Sequence, residues 1–387
     1  MSNDSSVRAL RYGMVGGGPG AFIGDVHRRA IALDPNTNLV AGAFSRSYEG
    51  TQEIGRRLML DDSRLYRDYA EMAKAESSRE DGIDFVAIVT PNNSHYEISK
   101  TFLDHGIHVV CDKPLTTTLE DAETLGEVVE KSGLMFGVTY TYTGYPMVKH
   151  ARALVRSGAL GRIRFVNAEY PQEWLSTAAE QDGSNKQANW RTDPSQSGPV
   201  NCVGDIGTHV ENMVSYVTGL KIRRLSARLD SFVAGRQLDD NASILVDYEG
   251  GATGIYWSSQ IAVGCINGLR IRVFGENGSI EFLQEEPDKL KVFGLDHPAQ
   301  IVVRGRDKML GNAAENVRVP GGHPEGYFEA FANIYRTFTG ALRKRQAGEP
   351  LGEFDDDYPH VGDGIQGVRF VARVVESAHN DSRWVDF

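Results

Sequence analysis

At 387 residues the chain is longer than one hydrophobic core usually supports, so two domains are expected. Hydrophobic residues make up 41% and charged residues 24%, an ordinary globular balance, and no apolar run reaches the roughly eighteen residues of a membrane-spanning helix. A net charge of −11 and a pI near 5.5, with no basic block to offset them, argue against nucleic acid as a partner, because phosphate binding needs concentrated Lys and Arg.

The N-terminal Met1-Ser2-Asn3-Asp4-Ser5-Ser6 is polar and lacks the apolar core of a signal peptide, so a cytoplasmic protein is expected. Cys111, Cys202 and Cys265 are an odd, sparse set without CxxC spacing. They form neither a disulfide framework nor a zinc site and fit a reducing compartment. Cys111 and Cys202 each stand beside a motif residue, but a small buried apolar role is the better reading for both.

Residues 12–15 read as a strand, followed by a glycine-rich turn and a helix to about 34. A second strand spans 39–44, and helical stretches follow near 50–60 and 68–75. Phe85-Val86-Ala87-Ile88-Val89 is a continuous apolar run of the kind that fills a parallel sheet covered on both faces. A helix at 95–106, a strand at 108–111, a helix at 119–132 and a strand at 135–139 complete the series. Strand and helix alternating at this rhythm predict βαβ units and a doubly wound parallel sheet, a Rossmann dinucleotide-binding domain over residues 1–144.

The rhythm changes beyond Gly144. A helix at 146–157 is ended by Gly158 and Gly161, and then strands follow at 163–169, 222–231, 242–248, 252–260, 269–275, 279–283 and 291–293. Leu269-Arg270-Ile271-Arg272-Val273-Phe274 alternates apolar and polar residues, as an antiparallel strand with one wet face does. Glu249-Gly250-Gly251 and Glu276-Asn277-Gly278 mark hairpin turns. Helices return at 324–342 and 363–377. Residues 145–387 are therefore expected to form an α+β domain with a large, mostly antiparallel open sheet. The polar stretch 172–198 is long enough to be a functional loop.

Four motifs carry chemistry. Gly16, Gly18 and Ala21 satisfy a G-x-G-x-x-G/A turn between the first strand and the first helix, with Phe22 and Ile23 opening that helix beside a bound pyrophosphate. Gly24 competes with Ala21 for the third position. The second strand ends in Phe44-Ser45-Arg46-Ser47, where an acid would favour NAD. Ser45 and Arg46 lean toward NADP, and Glu49 is the group that would reverse the lean. Thr90-Pro91-Asn92-Asn93-Ser94-His95 places Thr90, Pro91, Asn92 and His95 at the cofactor edge of the sheet. Asp112-Lys113-Pro114 closes the 108–111 strand in the crevice where ligands of such sheets bind, and a desolvated lysine exchanges protons readily. Gly204-Asp205-Ile206-Gly207-Thr208-His209 puts a carboxylate and an imidazole four apart, on one face of a helix, as an acid–base pair.

This ordered set resembles the Gfo/Idh/MocA family of nicotinamide-dependent sugar and polyol oxidoreductases, over nearly the whole chain to His323-Pro324-Glu325-Gly326-Tyr327. The resemblance implies that Lys113 is the lysine of the family's Glu-Lys-Pro motif, here with Asp112 in place of Glu. Asp205 and His209 then belong to its active-site helix. It further implies NAD or NADP as cofactor and a homo-oligomer, dimer or tetramer, built through the second sheet. His209 is expected as the base toward a ring hydroxyl of a sugar, glycoside or inositol. Lys113 then polarises the same oxygen, so that no metal is needed, and Asp205 orients the substrate. Tyr140, Tyr142, Trp190, Arg191 and His323 are candidate sugar contacts. A silent sugar or cofactor sensor, and a reductase of a non-sugar carbonyl or imine, are the alternatives.

Overall fold

The computed structural model of the chain describes residues 8–181 and 185–387, so the polar stretch Met1 to Ser6 and part of the 172–198 segment lie outside the described residues. The strands β1 (Leu10–Gly16), β2 (Thr37–Ala43), β3 (Phe85–Val89), β4 (His108–Cys111) and β5 (Phe136–Val138) form a parallel sheet in the order β2-β1-β3-β4-β5. The helices α1 (Phe22–Ile31), α2 (Tyr48–Arg57), α3 (Tyr69–Ser77), α4 (His95–Asp104) and α5 (Leu119–Ser132) lie in the crossovers. All five residues of β3 are buried because helices cover both faces, which is why its sequence is apolar without alternation. The strand order reverses between β1 and β3. At such a switch point the loops beyond the carboxyl ends part and leave a crevice.

The chain then continues through α6 (Pro146–Arg156), β6 (Ile163–Pro171), and the short helices α7 (Lys186–Arg191) and α8 (Pro194–Ser197). A π-helical turn, Val203–Gly207, runs directly into α9 (Thr208–Thr218). Next come β7 (Ile222–Asp230), β8 (Asn241–Tyr248), β9 (Thr253–Ser259), β10 (Arg270–Gly275), β11 (Gly278–Leu283), β12 (Lys289–Gly294) and β13 (Gln300–Val303). The helices α10 (Tyr327–Gln346) and α11 (Val361–Ala378) and the strand β14 (Val385–Asp386) complete the described chain. The second sheet runs β13-β12-β11-β10-β6-β9-β8-β7-β14, antiparallel except for the β6–β9 pair. β13 and β14 extend it beyond the strands read from the sequence, because four- and two-residue strands are too short to show a period.

Alternation decides which face of this sheet is covered. Ile244, Tyr256, Ile271 and Phe282 point inward and pack with Met147 of α6, Val210 and Val214 of α9, and Phe370 and Val374 of α11. Full burial of each such side chain contributes roughly 1.5–3 kcal/mol. The opposite face leaves Leu245, Ile255, Phe274, Phe293 and Ile301 exposed.

The helix α10 crosses back to the first sheet. Its Phe331, Tyr335 and Phe338 pack with Val26 and Ala30 of α1 against Phe85, Ala87 and Val110. One face of the parallel sheet would otherwise be short of apolar cover, so the 145–387 stretch supplies part of the first domain's core as well as the second sheet. The return of α10 also brings Tyr327, at its first turn, to the crevice between the two layers.

Candidate active site

The crevice at the switch point opens into a cleft of about 1440 Å³ between the two sheets. That exceeds the few hundred to 1,000 Å³ of a site for one drug-sized molecule, and leaves room for a dinucleotide beside a second, smaller ligand. The turn after β1 forms one end. Gly16 has φ of 91°, which a side chain would strain, and a Cβ on Gly18 would stand 2.7 Å from the carbonyl oxygen of Phe44. Gly24 takes the packing role of the third glycine, since a Cβ there would meet Gly17 Cα at 2.4 Å. Ala21 instead precedes α1 and lines the cleft with Phe22 and Ile23. No side chain caps α1, whose first residues line the cleft, and the uncapped N-terminus of a helix favours an anion such as a pyrophosphate.

Ser45, Arg46, Thr90, Pro91, Asn92 and Asp112 line the walls between this turn and the far end. Arg46 is exposed at the end of β2, while Glu49 lies in the first turn of α2 and does not line the cleft. Arg67, Asp68 and Tyr69 also line this end, which the sequence did not single out. Arg67 lies over the Tyr48 ring at 4.5 Å, and Asp68 caps α3 by accepting from the amides of Ala70 and Glu71.

At the far end Lys113, Asp205 and His209 come together. Lys113 leaves β4 ahead of a cis Lys113–Pro114 bond. Its Nζ donates to the main-chain oxygen of Asp205 at 2.6 Å and to Oδ1 at 3.1 Å, which leaves one ammonium N–H for a ligand. Asp205 Oδ2 accepts from Arg191 Nε at 3.0 Å and from Gln260 Nε2 at 2.9 Å. Both carboxylate oxygens are therefore engaged by the protein, and Asp205 holds Lys113 and Arg191 in place at the cleft wall. Burial alone would raise its pKa, yet Arg191 and Lys113 hold the carboxyl well below the usual range. The pair expected on one regular helix straddles the π turn and the start of α9, since Asp205 belongs to the first and His209 to the second. Single π turns of this kind recur at functional sites.

His209 stands among three phenol rings, with centroids 4.7 Å from Tyr142, 5.8 Å from Tyr140 and 6.1 Å from Tyr170. Burial, reinforced by the Lys113 charge, drives its pKa well below the ordinary value, so the imidazole is neutral at pH 7. Trp190 and Arg191 line the same end, with the guanidinium 4.3 Å from the Trp190 ring.

Three of the expected residues do not line the cleft. Tyr140 is fully buried and packs against Gly367 of α11. The His95 ring bridges the carbonyls of Pro114 (2.8 Å) and Thr90 (2.9 Å), tying together the two loops that flank the cleft. His323 is exposed and points away, because its loop is held by Arg304 through its main-chain oxygen. In the same segment Glu325 is the clamp, accepting from Arg304 and from the amides of Arg318 and Val319, while Tyr327 reaches the cleft. Cys111 and Cys202 are buried, and desolvation raises both thiols, which makes them poor nucleophiles.

The sequence also passed over five polar or aromatic residues that line the cleft, Tyr170, Gln172, Trp174, Asn267 and Gln284, linked to one another by hydrogen bonds and to His209 through the Tyr170 ring. They sit at strand ends and in loops, where polar side chains carry no periodic signal.

Comparison with known proteins agrees with this geometry. Residues 10–140 match the oxidoreductase family with an NAD-binding Rossmann fold, and residues 148–281 match the GFO/IDH/MocA C-terminal domain. The chain is 38% identical to the uncharacterized oxidoreductase YfiI of Bacillus subtilis, over 98% of this chain and 97% of that one. A crystal structure of an inositol dehydrogenase homolog complexed with NAD+ from Azotobacter vinelandii superposes with a TM-score of 0.93 at 39% identity, covering 98% of both chains. Levoglucosan dehydrogenase in complex with NADH and levoglucosan gives a TM-score of 0.81 at 26% identity, over 98% of this chain and 99% of that one. A glycine turn aimed at a dinucleotide, a lysine at the end of β4 and a histidine on α9, on a fold shared along almost the full length, place the chain in the Gfo/Idh/MocA family of oxidoreductases.

Proposed function

We propose that the protein is a dehydrogenase that interconverts a ring hydroxyl and a ketone on a neutral sugar, glycoside or inositol. The observation that carries this reading is the convergence of a lysine ammonium and a neutral, buried histidine at one end of a cleft whose other end is built for a dinucleotide. The nicotinamide supplies the hydride chemistry. The chain supplies placement and proton handling. His209 takes the hydroxyl proton, which a neutral imidazole can do and an imidazolium cannot. Lys113 directs its remaining N–H at the same oxygen and stabilises the negative charge that develops there. Asp205 fixes Lys113 from two sides, and Arg191 with Trp190 closes the cleft over the ring. The relatives named as inositol and levoglucosan dehydrogenases support a neutral polyol.

NADP is favoured over NAD by this chain's own residues. No carboxylate stands at positions 44–47, and Asp68 is engaged as a helix cap. Arg46 and Arg67 both line the adenosine end, where a 2′-phosphate would lie. The protein is cytoplasmic in this reading and assembles through the open face of its second sheet. Leu245, Ile255, Phe274, Phe293 and Ile301 there form the exposed apolar surface that a second copy would cover.

The test is a panel of monosaccharides, glycosides and inositols with each cofactor, read as formation of reduced nicotinamide. Turnover of at least one neutral polyol is expected. Turnover confined to open-chain carbonyls or imines would replace this reading with the reductase alternative.

A further inference from the structure

We propose that Trp174 sets the hydrogen-bond polarity of the cleft wall beside His209, and thereby which ring hydroxyls the site accepts. This rests on the reading that the substrate is a neutral polyol. An indole nitrogen can only donate. Trp174 Nε1 donates to Gln172 Oε1 at 3.0 Å, and that one contact orients everything downstream. With its oxygen committed, Gln172 turns its amide nitrogen to Asn267 Oδ1, 2.8 Å away. Asn267 must then face Gln284 with its own nitrogen, at 3.0 Å from Oε1, and Gln284 Nε2 turns to the Tyr145 hydroxyl at 3.2 Å. Reversing any single amide would set two donors or two acceptors against each other, so the whole relay keeps the sense fixed by the indole.

The phenols follow from the same logic. Tyr170 lies 2.7 Å from Asn267 Oδ1, an atom that can only accept, so its single proton goes there. Tyr142, hydrogen-bonded to the Tyr170 hydroxyl, is then the donor of that pair. Its proton is used inside the wall, and toward the cleft it offers only lone pairs. Gln172 and Asn267 each keep a second amide N–H. The wall thus presents amide donors beside a phenol acceptor, with no charged side chain in the relay. Vicinal hydroxyls of a ring match this pattern, since each both donates and accepts. A phosphate or carboxylate, which only accepts, meets lone pairs at Tyr142 and is refused there.

The test uses the full-length protein and the best neutral polyol of the panel, together with its monodeoxy analogues. Trp174→Phe keeps the ring and removes the donor. Gln172→Glu keeps the acceptor for Trp174 and loses the donor to Asn267. Each is expected to raise KM by about tenfold, with kcat within about twofold, cofactor affinity unchanged and discrimination between deoxy analogues flattened, as loss of one oriented hydrogen bond predicts. A Trp174→Phe variant with wild-type KM and an intact deoxy profile overturns the proposal and leaves Trp174 as a ring that packs beneath Arg191. So does a loss confined to kcat. A wild-type protein that turns over no polyol is a separate result, and it would remove the functional reading itself.

Discussion

Lys113 Nζ lies 2.6 Å from the main-chain oxygen of Asp205, a contact between residues 92 apart in sequence. It joins the end of β4 in the first sheet to the π turn that leads into α9 over the second. Each layer therefore fixes one half of the site, and the lysine is held by a carbonyl as well as a carboxylate. Protonating or replacing the Asp205 side chain would leave one of the two anchors in place.

Replacing Lys113 by Met keeps an unbranched side chain one atom shorter and removes the charge. We expect kcat to fall by about 100- to 1000-fold, the usual cost of deleting one donor aimed at developing negative charge, with cofactor affinity retained. Steady-state rates and fluorescence titration of the cofactor separate the two quantities. Wild-type turnover would show that the ammonium does not reach the reacting oxygen.

For His209 the sign follows from its environment. Burial and Lys113 depress its pKa, so the free base is present at pH 7 and is lost only as pH falls well below the ordinary histidine range. The acid limb of kcat/KM for oxidation should accordingly lie below about pH 6.5. His209→Asn should lower the rate by about 100-fold or more and flatten that limb. An unchanged limb in the variant would transfer the base role to another group, with Lys113 first in line.

Local patterns carried most of the fold, and long-range ones did not. The apolar run 85–89 and the alternation at 269–274 announce their sheets, because burial on two faces or one writes itself into the period of the strand. The glycine turn and Lys113 were legible for the same reason, as each sits at the end of a recognisable strand. By contrast, the packing of α10 on the first sheet depends on contacts with residues hundreds of positions earlier, which no local period records. His95 and His323 looked like ligands because histidine is chemically versatile, yet one ring ties two loops together and the other faces solvent. Gln260 and Asn267 were invisible, since a lone amide near a strand end reads as surface. The π turn left a faint trace in Gly204 and Gly207, two helix-weakening residues flanking Asp205 and Ile206.

Glu211 lies on α9 two residues beyond His209 and is fully buried, with Gln366 Nε2 donating to it at 2.5 Å. Desolvation raises its carboxyl to about 7. Between the unfolded value near 4.5 and this one, the folded state holds more protons than the unfolded state, so this group subtracts stability as pH rises through that window. Glu211→Gln preserves the acceptor for Gln366 and removes the ionisation. The difference in unfolding free energy between variant and wild type should therefore grow from pH 5 to pH 8, by no more than about 3 kcal/mol. Denaturant titration at the two pH values reads it, and a difference independent of pH would mean that the carboxyl ionises normally in the fold.

The end of the cleft beside β2 offers the sharpest test of cofactor choice. Arg46 projects from the end of β2 into the cleft mouth and is exposed, and Arg67, stacked over Tyr48, approaches from the loop before α3. A guanidinium pairs a phosphate with two parallel hydrogen bonds, which a ribose hydroxyl cannot reciprocate. Arg46→Ala should therefore weaken NADP by about tenfold or more while changing NAD by less than about twofold, and adding Arg67→Ala should widen the gap. The loss should also shrink as salt is raised, because the pair is exposed to solvent and screened within about 10 Å at 0.1 M ionic strength. Titrations of both dinucleotides against wild type and the two variants decide the matter. A wild type that binds NAD more tightly, and that is indifferent to loss of Arg46, would assign the ribose to Asp68 or to main-chain groups and withdraw the preference for NADP.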